Sequence, residues 1–276
     1  MTANEKTAFL AQLAKDDNLE LAHAALLMAA YLDETVDPAV YLNRLSGMGA
    51  AGRPLVEAEV EVGGQIESLN RYFFQELGFH GNENDYYNPD NSFLNKVLDQ
   101  RSGIPISLSV LYLELGWQFG LPLYGVGMPL HFIVGCRIND QPHFIDVFNQ
   151  GNWLSEADCL DICQLPLSDL EPFRREHLQP VSKKAILFRM LLNLKQIYIN
   201  QKVWDRAYKV VDLLLEIQPD QPSEIRDRGL IAYRLNHLQE AIFDIKHYLS
   251  YSPDQGEADW LREHVVKMEE KLLRSN

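Results

Sequence analysis

Cysteine is scarce in this 276-residue chain: Cys136, Cys159 and Cys163 make an odd count with no disulfide framework. Cys159 and Cys163 stand four apart without a second pair of ligands, so no metal is expected. Positive charge is short as well. Lys and Arg number 25 against 39 Asp and Glu, a net −14, which argues against a general nucleic-acid binder or a polybasic membrane-surface protein. No stretch approaches about 18 uninterrupted apolar residues, so no membrane span is expected. The opening MTANEKTAFLAQLAKDDN lacks a charged segment followed by an apolar one, and a cytoplasmic protein is the simplest expectation. Neither a P-loop nor a G-x-G-x-x-G occurs, and no cofactor is expected.

What is present is ordinary globular composition, 46% hydrophobic and 23% charged, enough for one large domain or two modest ones. The densest pattern is GIPISLSVLYLELGWQFGLPLYGVGMPLHFIVGCRINDQPHFIDVF, from Gly103 to Phe148. Pro105 suits the first turn of a helix, and Leu108, Leu111, Tyr112, Leu115 and Phe119 recur at helical spacing until Gly120 and Pro122 end it. Ser107 falls in that first turn, where free N–H groups and the helix dipole favour a nucleophile or an oxyanion. Leu130 to Ile138 and His143 to Phe148 read as strands around an Asn139 to Pro142 turn. Alternation turns Cys136 away from His131, and His143 away from Asp146, so His131 and Asp146 are the pair that aligns.

Upstream, Lys6 to Lys15 and Asn18 to Leu32 read as packing helices, and Pro38 to Leu45 as a short one before a flexible SGMGAAGRP linker. Leu55 to Phe79 is helical in pattern with a break at Gly63-Gly64. The turn-rich GNENDYYNPDN, from Gly81 to Asn91, offers Asp85, Tyr86 and Tyr87 to the rim of a cleft, with turn formation and aromatic packing as the plainer reading. Ser92 then caps a helix whose Leu94, Val97 and Leu98 face inward. Trp153 leads to a short helix from Ser155 to Cys163, and Pro166, Pro172 and Pro180 punctuate a connector. Beyond it Ala207 and Ala241, Pro219 and Pro253, and Asp220 and Asp254 each recur after 34 residues, the tetratricopeptide period. The expected helices are Phe188 to Asn200, Trp204 to Ile217, Pro222 to Leu235, Leu238 to Tyr251 and a terminal Glu257 to Leu273. Two domains follow: 1–180, and a repeat module of two repeats plus a terminal helix over 181–276. Arg189, Gln196, Arg226 and Arg234 are candidates for a concave face that takes an acidic peptide; a solvated helix surface is the competing reading.

A helix-borne nucleophile, then a strand histidine, then an aspartate on the next strand resembles the transglutaminase-like branch of the papain-like cysteine enzymes. The string NDYYNPDNSFLNKVLDQRSGIPISLSVLYLELG, with MPLHFIVGCR and FIDVF after it and the repeats beyond, is similar to the bacterial SirB-type family. That resemblance implies an α+β transglutaminase-like core with a helical prefix, followed by an all-α tetratricopeptide module that binds a protein or peptide. It also implies catalytic positions at Ser107, His131 and Asp146, with serine where the family carries cysteine. A thiol of pKa about 8.5 is readily ionised by an imidazolium and a helix dipole, whereas a hydroxyl needs concerted proton removal and a good oxyanion hole. The Ser107 backbone N–H is a candidate oxyanion donor, and Gln100 or Arg101, just upstream, is a candidate for the second. The expectation is a protein- or peptide-binding, regulatory protein with weak or absent catalysis. The competing expectation is a Ser-His-Asp acyl hydrolase or acyltransferase to which the repeats present an amide or ester.

Overall fold

A computed structural model describes residues 19–252 and 254–275. The expected helix at Lys6 to Lys15 and the repeat position Pro253 lie outside the described residues. The described chain forms two compact units, residues 19–190 and 191–275.

The first unit is α+β and is built around one helix. Three helices precede it: α1 (Leu21–Leu32), α2 (Pro38–Val56) and α3 (Val62–Asn70), the last running on as a π-helical turn over Arg71–Glu76. A two-residue strand β1 (His80–Gly81), a 3₁₀ turn at Pro89–Ser92, α4 (Leu94–Gln100) and β2 (Ser102–Gly103) lead into α5 (Pro105–Gln118). Apolar residues surround α5 on every side, and it is buried accordingly from Pro105 to Leu113. Tyr112, the largest of its fully buried side chains, places its only polar atom well by donating to Asn70 Oδ1 at 2.8 Å.

Behind α5 stands an antiparallel sheet in chain order, β3 (Leu123–Gly127), β4 (Phe132–Ile138), β5 (Gln141–Asp146) and β6 (Asn152–Leu154). Cys136 pairs with His143 and Val134 with Ile145, so the expected hairpin forms with its turn at Asn139 and Asp140, both at positive φ. Ile133 and Phe144 belong to a second apolar cluster with Cys159, Leu160 and Phe173. These come from α6 (Glu156–Ile162), which Ser155 caps by accepting from Asp158 N, and α7 (Leu170–His177).

Three local expectations fail for identifiable reasons. The SGMGAAGRP stretch is not a linker: α2 runs through it, because its missing side chains let neighbours close in. A Cβ on Gly52 would sit 2.5 Å from the Tyr72 ring. Packing therefore outweighs the roughly 1 kcal/mol helix cost of each glycine. The break before α3 falls at Glu57 to Glu61, ahead of Gly63-Gly64, which enter the helix's first turn. Ser92 does not cap α4; its hydroxyl is buried without a hydrogen-bond partner.

The second unit consists of the later part of α8 (Lys183–Asn200) with α9 (Trp204–Ile217), α10 (Pro222–Arg234), α11 (Leu238–Ser250) and α12 (Gln255–Ser275). Ala207 and Ala241, at equivalent repeat positions, are both fully buried, as close helix packing requires. Polar glue joins the helices. Lys195 Nζ donates to Glu224 at 2.8 Å and to Asp227 at 2.7 Å, Arg226 reaches Asp227 and Glu257, and Arg228 bridges Asp212 and Asp244. Arg226 is thus neutralised from inside the module and does not offer its charge to an acidic peptide. Arg234 lies over the Trp204 ring at 5.8 Å, and Gln196 donates to Asn200.

Candidate functional site

The three expected residues do not share one hydrogen-bond network. Ser107 is the third residue of α5, and its side chain is fully buried. Its hydroxyl donates to the Asn91 carbonyl at 2.6 Å and accepts from the Ile104 N–H at 3.2 Å. A first-turn serine turning back to its own cap is the ordinary local behaviour of this residue type. The less ordinary part is Asn91, sixteen residues upstream. Its buried side chain donates to the Asp85 carbonyl at 2.7 Å and accepts from Asn82 Nδ2 at 2.9 Å, so it gathers the Gly81 to Asn91 loop onto itself. Through Ser107 the gathered loop is fastened to the start of α5. Parallel pairing of His80 with Ser102 and Gly81 with Gly103 holds the stem of the same loop.

His131 and Asp146 do meet. His131 precedes β4, and extending the β4–β5 register beyond the strand ends sets it opposite Phe148, one diagonal step from Asp146 on the same face. His131 Nε2 lies 3.0 Å from Asp146 Oδ2; the imidazole keeps 12% of its surface exposed and the carboxylate 2%. Asp146 also accepts from the N–H groups of Phe148 and Asn149 and from Asn149 Nδ2. Burial pushes its carboxyl upward, but the His131 hydrogen bond and charge, with the Asn149 donors, outweigh that and hold it below its ordinary 3.8. An ionised Asp146 fixes the tautomer with Nε2–H donating, which leaves Nδ1 as the ring nitrogen without a hydrogen-bond partner among the described residues.

Around this pair the chain gathers an aromatic wall. Leu130, with φ of 63° and most of its side chain in solvent, turns the chain so that His131 N–H reaches the Pro129 carbonyl at 2.8 Å. The Phe148 ring stands edge-on to both His131 and Tyr86, with centroids 6.3 and 6.0 Å away. It fits there because Gly81 has no side chain: a Cβ would meet the ring at 2.7 Å. Of the loop residues proposed for a rim, Tyr86 joins this wall, while Asp85 accepts from Asn88 within the loop. Arg189 Nη2 donates to the His131 carbonyl at 2.9 Å. Arg189 was expected on the repeats, and no local pattern in the sequence ties it to a histidine 58 residues away.

Gln100 and Arg101 are committed elsewhere: Gln100 contacts Asp90 at 3.4 Å, and the Arg101 guanidinium covers the Phe79 ring at 4.8 Å. Burial pushes the Cys136 thiol up to about 11 and the Cys159 thiol up to about 12, far from thiolate chemistry at neutral pH. Among the described residues no group of three or more His, Cys, Asp or Glu is placed to hold a metal ion, and no helix is long and apolar enough to cross a membrane. A separate cleft of about 530 Å³ opens beside the turn after Asp146, lined by Glu67, Arg71, Phe74 and Trp153 among others, and contains none of the three expected residues.

Comparison with known proteins matches residues 39–192 to the transglutaminase-like superfamily and residues 194–265 to the tetratricopeptide repeat. The UPF0162 protein of Xylella fastidiosa (strain Temecula1) is 34% identical over 264 residues, 95% of this chain and 94% of its own length. That of Vibrio cholerae is 35% identical over 205 residues, 73% of this chain and 74% of its own. Human F-box only protein 21 is 29% identical over 244 residues, 79% of this chain but 37% of its own. No solved structure matches. A transglutaminase-like core joined to tetratricopeptide repeats supports a protein-binding or regulatory role. The buried central helix, the hairpin carrying His131 and Asp146, and the repeats that follow in the chain agree with these matches, and the chain belongs to the transglutaminase-like superfamily, with the architecture of the UPF0162 proteins.

Proposed function

We propose that this chain is a peptide-binding regulatory protein of the SirB type, in which the core has given up acyl chemistry. The observation that carries the reading is Ser107: fully buried, with its proton engaged by the Asn91 carbonyl at 2.6 Å. A serine nucleophile has to present its oxygen to a substrate carbonyl and its proton to a base. Here both go to backbone groups that close the start of α5. On this reading the Asp146–His131 pair orders the aromatic wall of Phe148 and Tyr86, and the repeats supply a second binding surface.

The competing reading, a Ser-His-Asp acyl hydrolase or acyltransferase, draws its support from the His131–Asp146 contact at 3.0 Å, a base held by an ionised orienting carboxylate. A serine-directed fluorophosphonate separates the two. The binding reading expects intact protein to stay unlabelled at Ser107. Stoichiometric labelling that disappears in Ser107→Ala and in His131→Ala would overturn it.

A further inference from the structure

Arg189 is a partly buried cation of the first unit whose charge has no counter-charge in an ion pair among the described residues. Its guanidinium is partly buried beside the Phe132 ring, 5.6 Å from the centroid, and above Gly127, where a Cβ would come within 3.2 Å of Nη1. Among the described residues, its one hydrogen bond is to the neutral carbonyl of His131. No carboxylate forms an ion pair with it among the described residues. The titratable groups that act on it are the Tyr86 phenol and the Cys163 thiol, neither of them anionic at neutral pH. Arg101, also partly buried without an ion pair, differs in having Asp99 close enough to act on it. A guanidinium taken partly out of water without a counter-charge is costly, and an anion from outside relieves that cost.

We propose that Arg189, held at the His131 carbonyl with the Phe148 and Tyr86 rings as the aromatic wall beyond that histidine, forms a site that captures the carboxylate of a peptide ligand. Three features select this chemistry. A guanidinium presents paired N–H donors that match a carboxylate's two oxygens. The guanidinium carries one charge and has no ion-pair partner among the described residues, so it balances a single carboxylate and not a phosphate dianion. The Phe148 and Tyr86 rings, with the exposed Leu130 at the mouth, suit an apolar side chain next to that carboxylate. This assignment rests on reading the core as a binding module.

The test uses the full-length protein and three small probes. N-acetyl-glycyl-phenylalanine carries a main-chain carboxylate, its C-terminal amide carries none, and N-acetyl-glutamate α-amide carries only a side-chain carboxylate. The Arg189 Nε–H resonance, followed by NMR, is expected to shift saturably with the free acid and not with the amide. Arg189→Lys should weaken the free acid about tenfold or more, since it keeps the charge but loses the paired donors. A shift with both acids identifies any peptide carboxylate as the ligand, and one with the first alone identifies a chain terminus. If the Lys variant does not fold, the wild type decides: the free acid, and not the amide, should slow phenylglyoxal modification at Arg189, read by mass spectrometry. Equal effects of acid and amide, or an effect of inorganic phosphate without one from either acid, would overturn the assignment. Fluorophosphonate labelling is read at Ser107, a different atom, so labelling with carboxylate capture intact sinks only the earlier reading, and the reverse result sinks only this one.

Discussion

Replacing Ser107 by alanine removes one oxygen and leaves two buried backbone groups, the Asn91 carbonyl and the Ile104 N–H, without their partner. Each unsatisfied buried group costs about 1–3 kcal/mol. Local relaxation returns part of this, so a loss of about 2 kcal/mol from the core unit is expected. For a unit of this size that corresponds to a melting temperature lower by about 4–8 °C. The two units need not melt together, and a global probe would blur the result. The cysteines solve this, because Cys136, Cys159 and Cys163 are all buried and all lie in the first unit. Their reaction with a chromogenic disulfide, followed against temperature, reports on that unit alone. Ser107→Cys should fall in the same range, since sulfur is larger and a weak hydrogen-bonding partner. If Ser107→Ala melts within about 1 °C of wild type, the hydroxyl does not hold the loop, and the argument against a nucleophile loses its basis.

The native thiols should react with that reagent at pH 8 at least about tenfold more slowly than in the denatured chain, because burial pushes Cys136 and Cys159 up to about 11 and about 12. Comparable rates would contradict the burial. Asp146 is held below its ordinary 3.8, so its contribution is complete above that pH and drains away as the pH falls toward the lower folded value. An acid melt of Asp146→Asn should lack that part of the slope. Glu114 runs the other way: burial raises its carboxyl above the ordinary 4.5 although it accepts from Ala22 N, so it costs stability as the pH rises through the raised value. Glu114→Gln should therefore match or exceed wild-type stability at pH 7 by urea titration. Lys195→Met strands Glu224 beside Asp227 and should cost the repeat module about 3 kcal/mol or more, measured by amide exchange in α10.

The elements that could be read from sequence are those whose signals are local. Pro105 opens the central helix, the turn at Asn139 and Asp140 joins two strands, and alternation along them brought His131 to Asp146. The 34-residue spacing located the repeat helices to within a few residues except at the start of α8. What sequence could not show depends on partners far along the chain. Nothing in the periodicity of α5 says that a carbonyl sixteen residues upstream takes the Ser107 proton. Nothing in a tetratricopeptide register says that Arg189 turns to His131. The glycines of α2 misled for the opposite reason: their local preference for loops was outweighed by the Tyr72 and Phe119 rings packed against Gly52.

The tie between Asn91 and Ser107 also bears on how such a protein can diverge. A cysteine at position 107 would weaken the tie that fastens the loop carrying Tyr86, so a change of side chain there is felt first in the loop. Positions 91 and 107 are thereby constrained as a couple: neither can vary without disturbing the order of the segment between them.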